Sequence, residues 1–148
     1  MENNEKIIIA CGYFDPIHVG HVEYLKKAKE LGDKLIVIVN NNKQAILKKG
    51  YFFMPVKDRI KIIKALVHVD EAVISIDEDG TVCKTLEMLL KKHKNCIFAK
   101  GGDRFANEIP EAKVCKEYNV QIIDGLGEKI RSSSELVKNY NKNLNEIK

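Results

Sequence analysis

The chain reads as a single α/β domain, a doubly wound parallel sheet of five strands covered by helices. Five short apolar runs, residues 7–11, 35–39, 72–76, 96–99 and 120–123, are continuous rather than alternating, as strands buried on both faces are. Segments of helical period separate them, and right-handed crossovers turn such a strand–helix order into a parallel sheet. The length of 148 residues, with 45% apolar and 31% charged residues, is that of one soluble globular domain.

Each element has its own signal. After the first strand, Val22, Leu25, Ala28 and Leu31 recur on one helical face, and Gly32 supplies a stop. The second strand, 35–39, leads into Asn40 and a polar stretch with Lys48 and Lys49, expected as a loop. Pro55 then precedes an amphipathic helix over 59–67, which places Arg59 near its start. Residues 81–93 put Val82, Leu86, Leu89 and Leu90 on one stripe, and 110–118 form a shorter helix. A last helix is expected from Ser133 through Leu136, Val137 and Tyr140. The domain is thus expected over 1–140, with a polar tail, 141–148, that frays.

Composition removes several function classes. A net charge of +4, with lysines dispersed along the chain, suits an anionic ligand but not a nucleic acid. No apolar run approaches the roughly 18 residues of a membrane span, and the N-terminus does not read as a signal peptide. A cytoplasmic protein is expected. Cys11, Cys83, Cys96 and Cys115 lie far apart with no CxxC pair, which predicts reduced, packed thiols rather than a zinc or redox site.

The chemistry concentrates behind the first strand, in Gly12-Tyr13-Phe14-Asp15-Pro16-Ile17-His18-Val19-Gly20-His21. A strand ends, Asp-Pro turns the chain, and two histidines flank a glycine as a helix begins. Helix N-termini present unpaired N–H groups and partial positive charge, which suits phosphate. Gly20, lacking a Cβ, allows close approach of a ligand, and His18 and His21 can each donate an N–H to a phosphate oxygen. Two histidines at this spacing could also ligate a metal, but no further ligand cluster accompanies them, so no metal site is expected.

With these residues in place, the segment GYFDPIHVGH resembles the HxGH signature of the cytidylyltransferase-like nucleotidyltransferases. The resemblance continues through AKELGDKLIVIVN, through HVDEAVIS at 68–75, through KGGDR at 100–104 and through RSSSELVK at 131–138. HVDEAVIS is similar to a segment of glycerol-3-phosphate cytidylyltransferases, and KGGD to one of heptose-1-phosphate adenylyltransferases. Gly101-Gly102-Asp103-Arg104 matches neither subgroup fully, so CTP and ATP both stay open as donor.

The resemblance implies a Rossmann-like fold and attack by an acceptor phosphate oxygen on the α-phosphorus of an NTP, releasing pyrophosphate. Residues from the signature, Gly12, Tyr13, Phe14, Asp15 and Gly20, are then expected around the nucleotide, with His18 and His21 on the α- and β-phosphates. Arg131, Ser132, Ser133 and Ser134, opening the last helix, would hold the β- and γ-phosphates, while Lys100, Gly102 and Asp103 would approach ribose or base. The family uses a lysine and an arginine for the acceptor, which points to Lys49 (or Lys48) and Arg59. Mg²⁺ is implied by triphosphate chemistry, and a homodimer by the habit of relatives. A phosphorylated sugar or polyol is the leading acceptor, with flavin mononucleotide or phosphopantetheine as alternatives. A non-catalytic nucleotide sensor on the same fold is the rival reading. A dinucleotide-binding oxidoreductase is disfavoured, since it would want GxGxxG after the first strand.

Overall fold

A computed structural model describes residues 5–101 and 109–126. Its elements are β1 (Ile7–Gly12), α1 (Val19–Glu30), β2 (Lys34–Val39), α2 (Asn42–Lys49), α3 (Val56–Ala65), β3 (Glu71–Ile74), α4 (Cys83–Lys92), β4 (Cys96–Gly101), α5 (Glu111–Glu117) and β5 (Gln121–Leu126). The expected last helix and polar tail lie outside the described residues. All five predicted strands are present, displaced by at most a few residues at their ends.

The strands form one parallel sheet in the order β3-β2-β1-β4-β5. β1 is central, and the chain fills the sheet outward on one side before crossing to the other. Successive residues of β1 serve opposite faces, which is why its run shows no alternation. Ile8 and Ala10 join Leu35, Val37 and Val39 beneath α1 and α3, where Leu25, Ala28 and Ile63 close the layer. Ile7 and Ile9 join Ile36, Ile38 and Phe98 beneath α4 and α5, against Leu86, Leu89 and Cys115. Burying each such side chain contributes about 1.5–3 kcal/mol, so both layers are needed to hold the sheet. All four cysteines are unpaired thiols.

One helix departs from the expectation. Residues 42–49, expected as loop, form α2, so Lys48 and Lys49 end a helix. Its apolar pattern is misleading because Gln44 and Ala45 face inward while Ile46 and Leu47 are exposed. Asn41 and Gln44 instead make a reciprocal capping box, and Gly50 ends the helix with a left-handed φ of 85°. Gln44 is fully buried and its amide donates to the Asp79 and Thr81 carbonyls, which fastens α2 to the β3–α4 loop.

Strand order reverses between β1 and β4, and their pairing stops at Ile9 and Phe98. Beyond that point the hydroxyl of Tyr24 fills the gap, accepting from the Cys11 N–H at 3.3 Å and donating to the Ala99 carbonyl at 2.6 Å. The crevice above such a reversal, at the carboxyl ends of the strands, is where ligands bind on doubly wound sheets.

Candidate active site

The segment from Gly12 to His21 crosses this crevice. Phe14 holds a left-handed φ of 54° and is buried, its ring lying over Gly12. A Cβ on Gly12 would meet that ring at 2.9 Å, so the glycine makes room for Phe14. The same ring meets His21 edge-on, with centroids 5.1 Å apart.

His18 is the N-cap of α1 with extended backbone, and it acts as a capping residue through an imidazole. Its Nδ1 accepts the Gly20 N–H at 3.0 Å, and its own N–H donates to His21 Nδ1 at 3.1 Å. The two rings stack with centroids 3.9 Å apart. An imidazole nitrogen that accepts a backbone N–H carries no proton, so each neutral ring bears its hydrogen on Nε2. Burial, and then the neighbouring His18, push His21 down to about 4, so it is neutral at physiological pH. The backbone contacts of the two Nδ1 atoms thus fix both rings at the first turn of α1.

Asp15 turns the other way. Its carboxylate accepts the Phe53 N–H at 2.9 Å, the Met54 N–H at 2.8 Å and Lys49 Nζ at 3.0 Å, and its side chain has no exposed surface. Burial alone raises its pKa, but these bonds outweigh it and hold the carboxyl below its usual range. In this structure the carboxylate anchors the chain between α2 and α3.

Arg59 is bound into the same framework. Expected to fork onto an acceptor phosphate, it is 1% exposed and donates to the carbonyls of Met54, Tyr13 and Asn40 and to Asn42 Oδ1. Guanidinium has five N–H donors, so these four bonds leave too few for a bidentate phosphate contact. It ties the carboxyl ends of β1 and β2 to α2 and to the segment before α3.

Lys49 lies where a ligand could reach it, with its side chain 18% exposed and Nζ also 3.0 Å from the Asp15 carbonyl. The Lys48 ammonium sits 4.4 Å over the Tyr13 ring. Lys100 is half-buried at the end of β4 and lowers the Cys11 thiol, though burial dominates and raises it to about 11. Gly20 supplies the N–H capped by His18. Gly102, Asp103, Arg131, Ser132, Ser133 and Ser134 lie outside the described residues.

Among the described residues, no group of three or more His, Cys, Asp or Glu could hold a metal ion. Asp15, the acidic side chain of the motif, is already occupied by its three donors. These residues do not form a Mg²⁺ cage. No helix among them is long and apolar enough to cross a membrane.

Tyr24, Asn42 and Gln44 were not legible as site residues. The Asn41–Gln44 spacing was the available signal for α2. Nothing in the sequence marks the Tyr24 hydroxyl as the bridge between β1 and β4.

A doubly wound parallel sheet with a histidine-capped helix beside its switch point is the architecture of a Rossmann-like domain. The cytidylyltransferase-like family model matches residues 9–139, and the chain belongs to that family. It is 42% identical over 106 residues to an FAD synthase of Pyrococcus abyssi, a match covering 70% of this chain and 68% of that one. It is 38% identical over 119 residues to the bifunctional protein HldE of Streptomyces coelicolor, covering 79% of this chain and 24% of that protein, so it spans about a quarter of that relative's length. Among solved structures, the lipopolysaccharide core biosynthesis protein of Thermoplasma volcanium superposes with a TM-score of 0.65 at 27% identity, over 84% of this chain and 98% of that one.

Proposed function

We propose that the enzyme transfers a nucleoside monophosphate from an NTP to the phosphate of a small metabolite, releasing pyrophosphate. The observation that carries this reading is the histidine pair at the first turn of α1, whose Nδ1 atoms accept backbone N–H groups, so that each neutral ring carries its hydrogen on Nε2. A phosphate monoester has a second pKa near 6, so the acceptor is already an ionised nucleophile at neutral pH. Catalysis then needs alignment and stabilisation of charge on the departing pyrophosphate, and a strong base is unnecessary. Neutral N–H donors fixed before the substrate arrives suit that need.

In this reading His18 and His21 bind the α- and β-phosphates, and Arg131 with Ser132, Ser133 and Ser134 takes the β- and γ-phosphates. Lys100, Gly102 and Asp103 border the nucleoside, and Lys49 draws the acceptor phosphate. Mg²⁺ comes with the NTP, held by phosphate oxygens, as its preference for substrate phosphates and water allows. ATP is the favoured donor over CTP, because FAD, the product named for one set of relatives, contains an adenylyl group. A sugar, polyol or flavin phosphate is the acceptor, and the cytoplasm is where both substrates would be met.

The test is a pyrophosphate-release screen of four NTPs, with Mg²⁺, against sugar, polyol, amino-alcohol and flavin phosphates. The reading expects acceptor-dependent pyrophosphate with at least one pair. Nucleotide binding with no pyrophosphate from any acceptor would instead establish a nucleotide sensor.

A further inference from the structure

Fastened to the β1–α1 segment through Asp15, the chain joining α2 to α3 carries a feature that phosphate chemistry does not explain. Tyr51 and Phe53 are large aromatic side chains left 48% and 50% exposed. Their rings meet edge-to-face, perpendicular, with centroids 5.1 Å apart. Lys49 Nζ lies 5.5 Å from one centroid and 5.7 Å from the other.

This cluster is built rigidly onto the β1–α1 segment. The Asp15 carboxylate binds the Phe53 and Met54 N–H groups and the Lys49 ammonium, all within 3.0 Å. Phe14, next to Asp15 in the chain, touches His21 on its other side. The two exposed rings are therefore linked to the histidine pair through two adjacent buried residues. Two of the three N–H donors of Lys49 go to Asp15, leaving one for a ligand oxygen. A solvent-exposed ring pair against a partly screened cation offers one N–H to an anionic oxygen and flat apolar faces to whatever the anion is attached to.

We infer that Lys49, Tyr51 and Phe53 form the acceptor subsite, and that the acceptor is a phosphate monoester carrying a ring rather than an open-chain polyol phosphate. The inference rests on the transfer reaction proposed above and narrows its second substrate. Lys49 takes the phosphate, and Tyr51 and Phe53 stack on the ring. The shared chemistry is a flat ring near a phosphate, which either an aromatic heterocycle or the C–H face of a pyranose supplies.

The experiment measures binding and turnover separately on the full chain. Flavin mononucleotide, glucose 1-phosphate and glycerol 3-phosphate are titrated calorimetrically in the presence of a non-hydrolysable ATP analogue, and each is also assayed for pyrophosphate release. At least one ring phosphate should bind at least tenfold more tightly than glycerol 3-phosphate, and which one binds identifies the ring. Tyr51→Ala and Phe53→Ala, both at exposed positions, should each weaken that ring phosphate roughly three- to tenfold while leaving nucleotide affinity unchanged. Tyr51→Trp should retain affinity and Tyr51→Leu should not, which separates stacking from mere coverage. Glycerol 3-phosphate binding as tightly as both ring phosphates, or ring affinity indifferent to both alanine variants, would overturn the subsite. Ring-dependent binding without pyrophosphate would leave the subsite standing and overturn the transfer reaction.

Discussion

The histidine pair and the Asp15–Arg59 framework occupy the same end of the sheet, yet they use their polar atoms in opposite ways. Asp15 and Arg59 carry full charges and are buried, with their hydrogen-bonding capacity taken up by backbone groups and neighbouring side chains. His18 and His21 are less buried, and each gives Nδ1 to a backbone N–H, so that a neutral ring carries its hydrogen on Nε2. Asp15 and Arg59 thus build the frame, and the histidine pair is the side proposed to meet the ligand. A buried charge is stable only when its bonds are filled, so residues of this kind are poor candidates for binding a substrate that must come and go.

The largest expected effect would come from breaking the frame. Arg59→Met removes four hydrogen bonds and leaves buried carbonyls unpaired, which should cost about 3–5 kcal/mol in urea unfolding. Unchanged stability with lost acceptor binding would return Arg59 to the substrate. Next come the donors. His18→Asn keeps a capping oxygen at the start of α1 and loses the imidazole Nε2–H, so kcat should fall roughly 10²–10³-fold with little loss of stability. Turnover near that of the wild type would remove His18 from the chemistry.

How much of this was readable depended on the kind of signal. The five strands were legible because a strand buried on both faces must be apolar throughout, as 7–11 and 35–39 are. The start of α1 was legible because the Asp-Pro turn and the histidines precede an apolar stripe. α2 was missed because its inward face rests on Gln44, a polar side chain satisfied by carbonyls distant in sequence. The buried contacts of Arg59 were hidden for a related reason: a sequence shows that a guanidinium is present but not which carbonyls surround it. The positions of Asp15 and Tyr24 depend on three-dimensional contacts that no local pattern encodes.

Smaller effects sharpen the contrast. Tyr24→Phe leaves the Cys11 N–H and the Ala99 carbonyl without their bridge, which should cost about 1–3 kcal/mol and raise KM for the NTP, the substrate expected over the β1–β4 gap. A loss of stability with an unchanged KM would confine Tyr24 to the fold. Acid should also act through the histidine side. The unfolded chain protonates His21 near its ordinary 6.5, whereas the folded chain holds it neutral to about 4. The unfolded state therefore binds more protons in that window, and stability should decline as pH falls from about 6.5 to about 4. His21→Gln, which preserves the capping-box spacing, should flatten that slope in urea titrations; an unaltered slope would place its origin elsewhere.

The most direct check is ¹⁵N NMR of the histidine side chains across pH, with and without an NTP. His18 and His21 should both be the Nε2–H tautomer at neutral pH, with His21 unprotonated down to about 4, and added NTP should shift their Nε2 resonances. Rings carrying hydrogen on Nδ1, or Nε2 signals indifferent to saturating NTP, would contradict the proposal that these side chains donate to the nucleotide phosphates.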